Sequence, residues 1–377
     1  MGYGLYDSIV DWVLTALGLN EAIQDSLRST LIDSLEMTTI LLFLIVNTIM
    51  LIWLERKMWP RMMNMRGIAF VDLNWGHFFG KTWKFGLLQN IAEFLKFFSK
   101  EDIVPEKADK FPFNIGFFAF IVAPPFVLGG LLPLGGEAVI ANPAVGFLLI
   151  FAMFSLYPVG VLITGWSSNN KYSLLGAFRS AAQLISYEIP LILSVGAVVL
   201  VTNSFSLVDI ANQQTQTPLG LPFMFFMPIG FIVFMTALAA ETERIPFDIP
   251  EAEAELVMGW RTELTGFRYM MSMATEYFIL LIGAFVGVSL FWGGSYLPIP
   301  GFKEFIDYWP LLSVLIFTAK LWVFIFIFIW IRSALPRVRI DQLLDIGWKW
   351  LIPIAIFNII VVILLLLSVP WLFGVTM

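Results

Sequence analysis

Residues 309–331 read WPLLSVLIFTAKLWVFIFIFIWI, a run of apolar side chains interrupted by a single charge, Lys320. Roughly 20 apolar residues in a helix cross about 30 Å of hydrocarbon, so this stretch reads as a membrane span. Seven further segments qualify in the same way: 34–57, 112–133, 145–166, 185–203, 221–242, 271–292 and 350–370. None alternates in the dyad pattern of a membrane β-strand, which favours helices over a barrel. The fold class is therefore all-α: a polytopic integral membrane protein of about eight transmembrane helices. Residues 1–33 form an amphipathic lead-in and 34–377 one transmembrane domain, with loops at 58–111, 167–184, 243–270 and 332–349 on one membrane face.

Composition agrees. Of 377 residues, 59% are hydrophobic and 13% charged, with a mean hydropathy of +0.85, whereas soluble domains carry about a quarter charged residues. Cysteine is absent, which removes disulfides, thiolate zinc sites and iron–sulfur ligation, and the single His77 forms no histidine metal site. No metal site and no catalytic motif is expected in this chain: Walker loops, nucleophile elbows and dinucleotide fingerprints are all missing. The first basic residue is Arg28, so the start lacks the charged n-region of a signal peptide.

The 22 lysines and arginines test the topology. Ten fall between the first and second spans, two between the third and fourth, three between the fifth and sixth, and four between the seventh and eighth. The other side holds only Arg28 and Lys303. By the positive-inside rule the odd-to-even connections face the cytoplasm or matrix and both termini face outward. Basic stretches such as Arg61 to Arg66 then suit orientation and lipid headgroups rather than nucleic acid. Before the second span, GLLQNIAEFLKFFS (86–99) places Leu87, Leu88, Ile91, Phe94, Leu95 and Phe98 on one stripe. Two readings stand for it: a helix lying in the membrane interface, or one docked on its neighbours.

An ionisable group near the bilayer centre costs about 2.5–3.5 kcal/mol and needs a partner, water or a role. Glu276 and Lys320 lie inside spans, Glu188 opens the fourth, Glu241 ends the fifth, and Glu36 and Glu55 bracket the first. Together Glu188, Glu241, Glu276 and Lys320 point to a polar pathway through the bundle. The densest feature is AETERIPFDIPEAEAELVMGWRTELTGFR (240–268), with seven carboxylates against three arginines. Helix capping accounts for Asp248, Glu251 and at most Glu253 as well, since Pro250 and acidic residues suit a first turn, which leaves most of the seven unexplained. Carboxylates this close raise one another's pKa values, which suits groups that load and release protons.

Four segments together resemble the subunit 1 (H-type) family of respiratory complex I, also called NADH-quinone oxidoreductase. They are LERK (54–57), GWSSNNKYSLLGAFRSAAQLISYEIPL (165–191), AETERIPFDIPEAEAELVMGWRTE (240–263) and WIRSALPRVRIDQLLDIGWKWLIP (330–353). The resemblance implies a subunit that forms a quinone tunnel and links quinone reduction to proton translocation. Arg56, Arg332 and Arg337, with Glu55 and Asp341, match tunnel positions. Glu188, Glu241 and Glu276 match buried relay glutamates, joined by Lys320, and Asp248, Glu251, Glu253 and Glu255 match the coupling loop. The implied substrate is ubiquinone, menaquinone or a related carrier. The implied partners are iron–sulfur and quinone-site subunits of a peripheral arm, small membrane subunits, antiporter-like subunits and lipids, in a prokaryotic cell membrane rather than an organellar one. The equivalent subunit of a membrane-bound hydrogenase or deazaflavin-fed dehydrogenase is the near alternative, and a stand-alone ion transporter the distant one. Two departures from the family stand out: a longer 58–85 segment with Trp59-Pro60, four methionines and His77, and Glu93 where aspartate is commoner.

Overall fold

The computed structural model describes residues 21–65, 67, 86, 88–129, 132–134, 137–138, 142–217, 220–249, 256–298 and 310–369. Most of the lead-in, most of the 58–85 segment with His77, and Glu251, Glu253 and Glu255 lie outside the described residues. Helix α1 (Glu21–Met62) runs without a break through the first span. Then come α2 (Leu88–Ser99), α3 (Lys110–Gly129), a two-residue ladder β1 (Pro133–Leu134) with β2 (Glu137–Ala138), and α4 (Gly146–Ser167). The chain continues through α5 (Lys171–Thr202), α6 (Leu207–Gln213), α7 (Phe223–Phe226), α8 (Pro228–Glu241), α9 (Gly266–Phe291), α10 (Pro310–Ala334) and α11 (Ile340–Ser368).

Seven of these helices, α1, α3, α4, α5, α9, α10 and α11, are long and apolar enough to cross a membrane. The fifth expected span differs. It divides at Met227, which leaves helical geometry at φ −127° and ψ 55°, and restarts at Pro228. Proline suits the first turn of a helix, where its missing N–H is not needed. The resulting α8 has 14 residues, about 21 Å at 1.5 Å per residue, short of the hydrocarbon thickness. The fourth span, by contrast, begins earlier than hydropathy suggests: residues 171–184 continue the helix, because Asn170 caps it by accepting the Tyr172 N–H at 3.0 Å. Both α3 and α11 contain a turn of π-helix, at Gly116–Val122 and Ile346–Leu351.

Helix α5 is the hub, packing against α8, α4 and α11, while α9 is the most enclosed span and α11 the most exposed. Small residues permit the closest approaches, as they do between membrane helices generally. A Cβ on Gly176 of α5 would stand 2.5 Å from the Gly259 Cα. That contact seats the short turn Gly259–Arg261 (η1) directly on α5, and Ser173 secures it by donating to the Trp260 carbonyl at 3.1 Å. Gln183, further along α5, donates to the carbonyls of Ala240 and Phe247, each at 2.8 Å. The connection from α8 to α9 is thus pinned to α5 near both ends.

The amphipathic helix α2 is docked on its neighbours along one side and exposed along the other. One flank docks: Asn90 donates to the Ile49 carbonyl at 3.0 Å, and Phe97 and Phe98 lie against Tyr269 and Phe267. The other leaves Ile91, Phe94 and Leu95 exposed, a face suited to lipid. Gly176→Val is expected to dislodge η1 at an overpacking cost of about 1–3 kcal/mol. A thermal unfolding scan in detergent checks it; an unchanged midpoint would mean that η1 is not seated there.

Candidate functional site

Most of the buried charged residues collect at one end of the bundle in ion pairs. Glu55, near the C-terminal end of α1, is 4% exposed and receives two guanidinium groups: Arg244 from the α8–α9 connection, at 2.5 Å, and Arg332 from the last turn of α10. Arg244 also lies over the Tyr277 ring at 4.4 Å. Arg261, on η1, is 1% exposed and pairs with Glu276 of α9 and, at 3.9 Å, with Glu243. Ser180 of α5 donates to Glu243, and the Trp260 ring lies 4.9 Å from the Arg261 guanidinium. A cavity of about 90 Å³ opens between the two arginine clusters, lined by Glu243, Arg244, Asp248, Glu276, Tyr277 and Arg332 among others.

Such buried charges persist only because each is opposed. Breaking a buried pair from one side typically costs about 3–5 kcal/mol, since an uncompensated charge remains. One carboxylate shared by two arginines leaves the first cluster with a net positive charge, and one arginine shared by two carboxylates leaves the second with a net negative charge, so the two clusters offset each other.

The sequence-predicted residues are distributed as follows. Glu55 and Arg332 meet directly, and Glu276 and Asp248 line the same cavity. Arg337 pairs with Asp248 at 2.7 Å. Glu241 is buried at the end of α8, within electrostatic reach of Glu243 and of half-buried Glu188 on α5. Three others stand apart. Arg56 is rotated away from Glu55 by about 100° around α1 and forks onto Glu93 of α2, with one bond at 2.9 Å. Asp341 pairs with Arg339 at 3.4 Å on an exposed surface. Lys320 lies twelve residues before Arg332 and donates to the carbonyls of Trp292, at 2.7 Å, and Tyr296, at the opposite end of α9. Sequence reasoning missed Tyr157, Ser180 and Tyr277 as neighbours of the cluster, and treated Arg244 and Arg261 chiefly as orientation signals. A buried arginine between glutamates in one short connection was the available clue.

Glu93 lies outside the spans. Burial alone would raise its carboxyl pKa, but hydrogen bonds from Arg56 and Gln89, with the Arg56 and Lys96 charges, hold it below the usual value. A depressed carboxylate stabilises the fold above its unfolded pKa, and that contribution is lost as pH falls through the folded value. The α1–α2 contact is therefore expected to hold at neutral pH and to loosen below the ordinary carboxylate range. Hydrogen exchange of the α2 amides should rise there in the unmodified chain and already at neutral pH in Glu93→Gln.

Among the described residues no group of three or more histidines, cysteines, aspartates or glutamates could hold a metal ion. Fold and site together define a multi-pass helical membrane protein with a buried carboxylate–arginine network at one end of the bundle. The family model described as NADH dehydrogenase matches residues 35–363, most of the chain. The chain belongs to this family, subunit 1/H of NADH-quinone oxidoreductase, and is a membrane subunit of a complex I-type assembly whose other subunits are its partners. Arg261→Met is expected to strand Glu243 and Glu276 and to destabilise the chain by about 3–5 kcal/mol. Thermal unfolding of the purified complex measures this, and wild-type stability would show that the pairing carries no such weight.

Proposed function

We propose that this chain supplies the membrane wall of a quinone tunnel, and that its buried carboxylates pass the effect of quinone reduction into the bilayer as proton movement. The observation that carries the reading is the shared cavity: basic groups suited to a polarised quinone headgroup, Arg244 and Arg332, line the same space as the carboxylates Glu243, Asp248 and Glu276. Ligand pockets usually enclose about 300–1,000 Å³, so a cavity of about 90 Å³ suits the inner end of a site completed by peripheral-arm subunits. With no cysteine in the chain, electrons would come from an iron–sulfur cluster on such a partner. Bound quinone supplies the electron acceptor and, once reduced, a demand for two protons.

The chain's own residues then respond electrostatically. Charge appearing near Arg332 competes with Glu55 for that guanidinium, leaving Glu55 more dependent on Arg244. Because Arg244 and Glu243 are adjacent, a shift of one alters the field at the other and at Arg261. From there Glu276, Glu241 and Glu188 offer successive carboxylates toward the bundle interior. In a low-dielectric interior, charge changes over such distances shift proton affinity strongly. The acidic connection, with Asp248 held by Arg337 and with Glu251, Glu253 and Glu255, would face the peripheral arm on the cytoplasmic side of a prokaryotic membrane, both termini lying outside. Lys320, tied to backbone carbonyls at the other end of α9, would fix the outward end of the bundle.

Arg332→Ala in the assembled complex is expected to weaken inhibition by a quinone analogue about 10- to 100-fold, the loss of a charge-assisted hydrogen bond worth about 1.5–3 kcal/mol. Glu241→Gln is expected to keep assembly and lose quinone-driven proton pumping. Unchanged inhibition together with normal pumping would remove this reading.

A further inference from the structure

The four methionines of the unusual segment after LERK stand at the end of α1, and three of them, Met62, Met63 and Met65, are 40%, 46% and 66% exposed. Met62 has a partner on α10: Ser333 donates its hydroxyl to the Met62 sulfur at 2.8 Å. Met63 and Met65 form no such bond among the described residues. Ser333 follows Arg332, and Met62 lies two turns beyond Glu55 on the same face of α1. The sulfur–hydroxyl contact therefore closes the same α1–α10 seam that the Glu55–Arg332 ion pair holds.

Two details make this end of the seam easy to open. Pro60 lacks the N–H that would bond the Arg56 carbonyl, so the last turn of α1 is held by fewer backbone bonds. Ser333 has one hydroxyl hydrogen, and the Trp330 carbonyl of its own helix also lies 2.8 Å away. The hydroxyl thus has two settings, across the seam to sulfur or back onto α10. A thioether is a weak acceptor, so a small chemical change at sulfur decides between them.

We propose that Met62 is an oxidation site whose sulfoxide releases the end of α1 from α10. The oxidant is hydrogen peroxide: its O–O bond breaks, one oxygen bonds to sulfur, and the other leaves as water. Sulfur loses two electrons and the peroxide gains them. An oxygen added on the side facing Ser333 has no room within 2.8 Å, and one added on the other side leaves an electron-poor sulfur that no longer accepts. In both cases the Ser333 hydroxyl turns to the Trp330 carbonyl, and the seam beside Arg332 loosens. Methionine sulfoxide reductases restore the thioether, so the change is reversible. Its effect on quinone-analogue binding rests on the proposed role of Arg332; the release of the seam does not.

The test treats the assembled complex with hydrogen peroxide, maps sulfoxides by peptide mass spectrometry, and follows amide hydrogen exchange of residues 331–335. Oxidised Met62 is expected to raise that exchange about 2- to 5-fold, the range for losing one weak hydrogen bond. Methionine sulfoxide reductase should reverse the rise, Met62→Leu should abolish it, and Met63→Leu with Met65→Leu should leave it intact. Ser333→Ala should show the raised exchange before any peroxide is added. Two results in the unmodified complex overturn the proposal, whether or not the variants assemble: Met62 staying reduced under peroxide that oxidises free methionine, or Met62 sulfoxide with unchanged exchange. A quinone analogue should inhibit the oxidised complex about 2- to 5-fold less strongly. Raised exchange with unchanged inhibition would keep the Met62 site and count against the role of Arg332.

Discussion

A guanidinium sealed inside a helical bundle has to be neutralised where it stands, and Arg261 is 1% exposed. Its pairing with Glu243 and Glu276 joins the α8–α9 connection to α9. Because the energy of an uncompensated charge in this setting rivals much of a domain's net stability, the backbone must deliver all three groups together. The seat of Gly259 on Gly176, the Ser180 hydroxyl on Glu243, and the enclosure of α9 all follow from that requirement.

The same constraint explains the second cluster. Glu55 is shared by Arg244 and Arg332, so α1, α10 and the start of the acidic connection meet at one carboxylate. Arg244 and Glu243 are consecutive, which makes the two clusters neighbours along the chain as well as across the cavity. A charge introduced at the arginine pair therefore has a short path to the glutamates on α8 and α9. In the proposed function, this adjacency is what would couple quinone reduction to proton affinity inside the bundle.

Much of this was legible in the sequence because hydropathy and charge asymmetry are long-range signals. Seven spans lie where apolar runs place them, and the acidic connection was visible as seven carboxylates in 29 residues. Two local details escaped. Pro228 shortens α8, and hydropathy averaged over a window passes smoothly across the break at Met227. The first half of α5 carries Ser173, Ser180 and Gln183, a polar face that reads as a loop but packs against the acidic connection. Side-chain direction was less accessible still: Glu55 and Arg56 are adjacent in LERK, yet helical rotation sends one to the arginine clusters and the other to Glu93. Tyr157 gave no signal, since a tyrosine in an apolar run resembles any other interfacial or core aromatic.

The quinone reading depends on where a headgroup sits relative to Glu55, Arg244 and Arg332. Photolabelling of the intact complex with an azido-quinone, followed by peptide mass spectrometry, locates it directly. The account predicts label on segments carrying Glu55, Arg244 or Arg332, reduced by competing quinone. Competable label confined to the lipid-facing side of α11, with none on those segments, would contradict it.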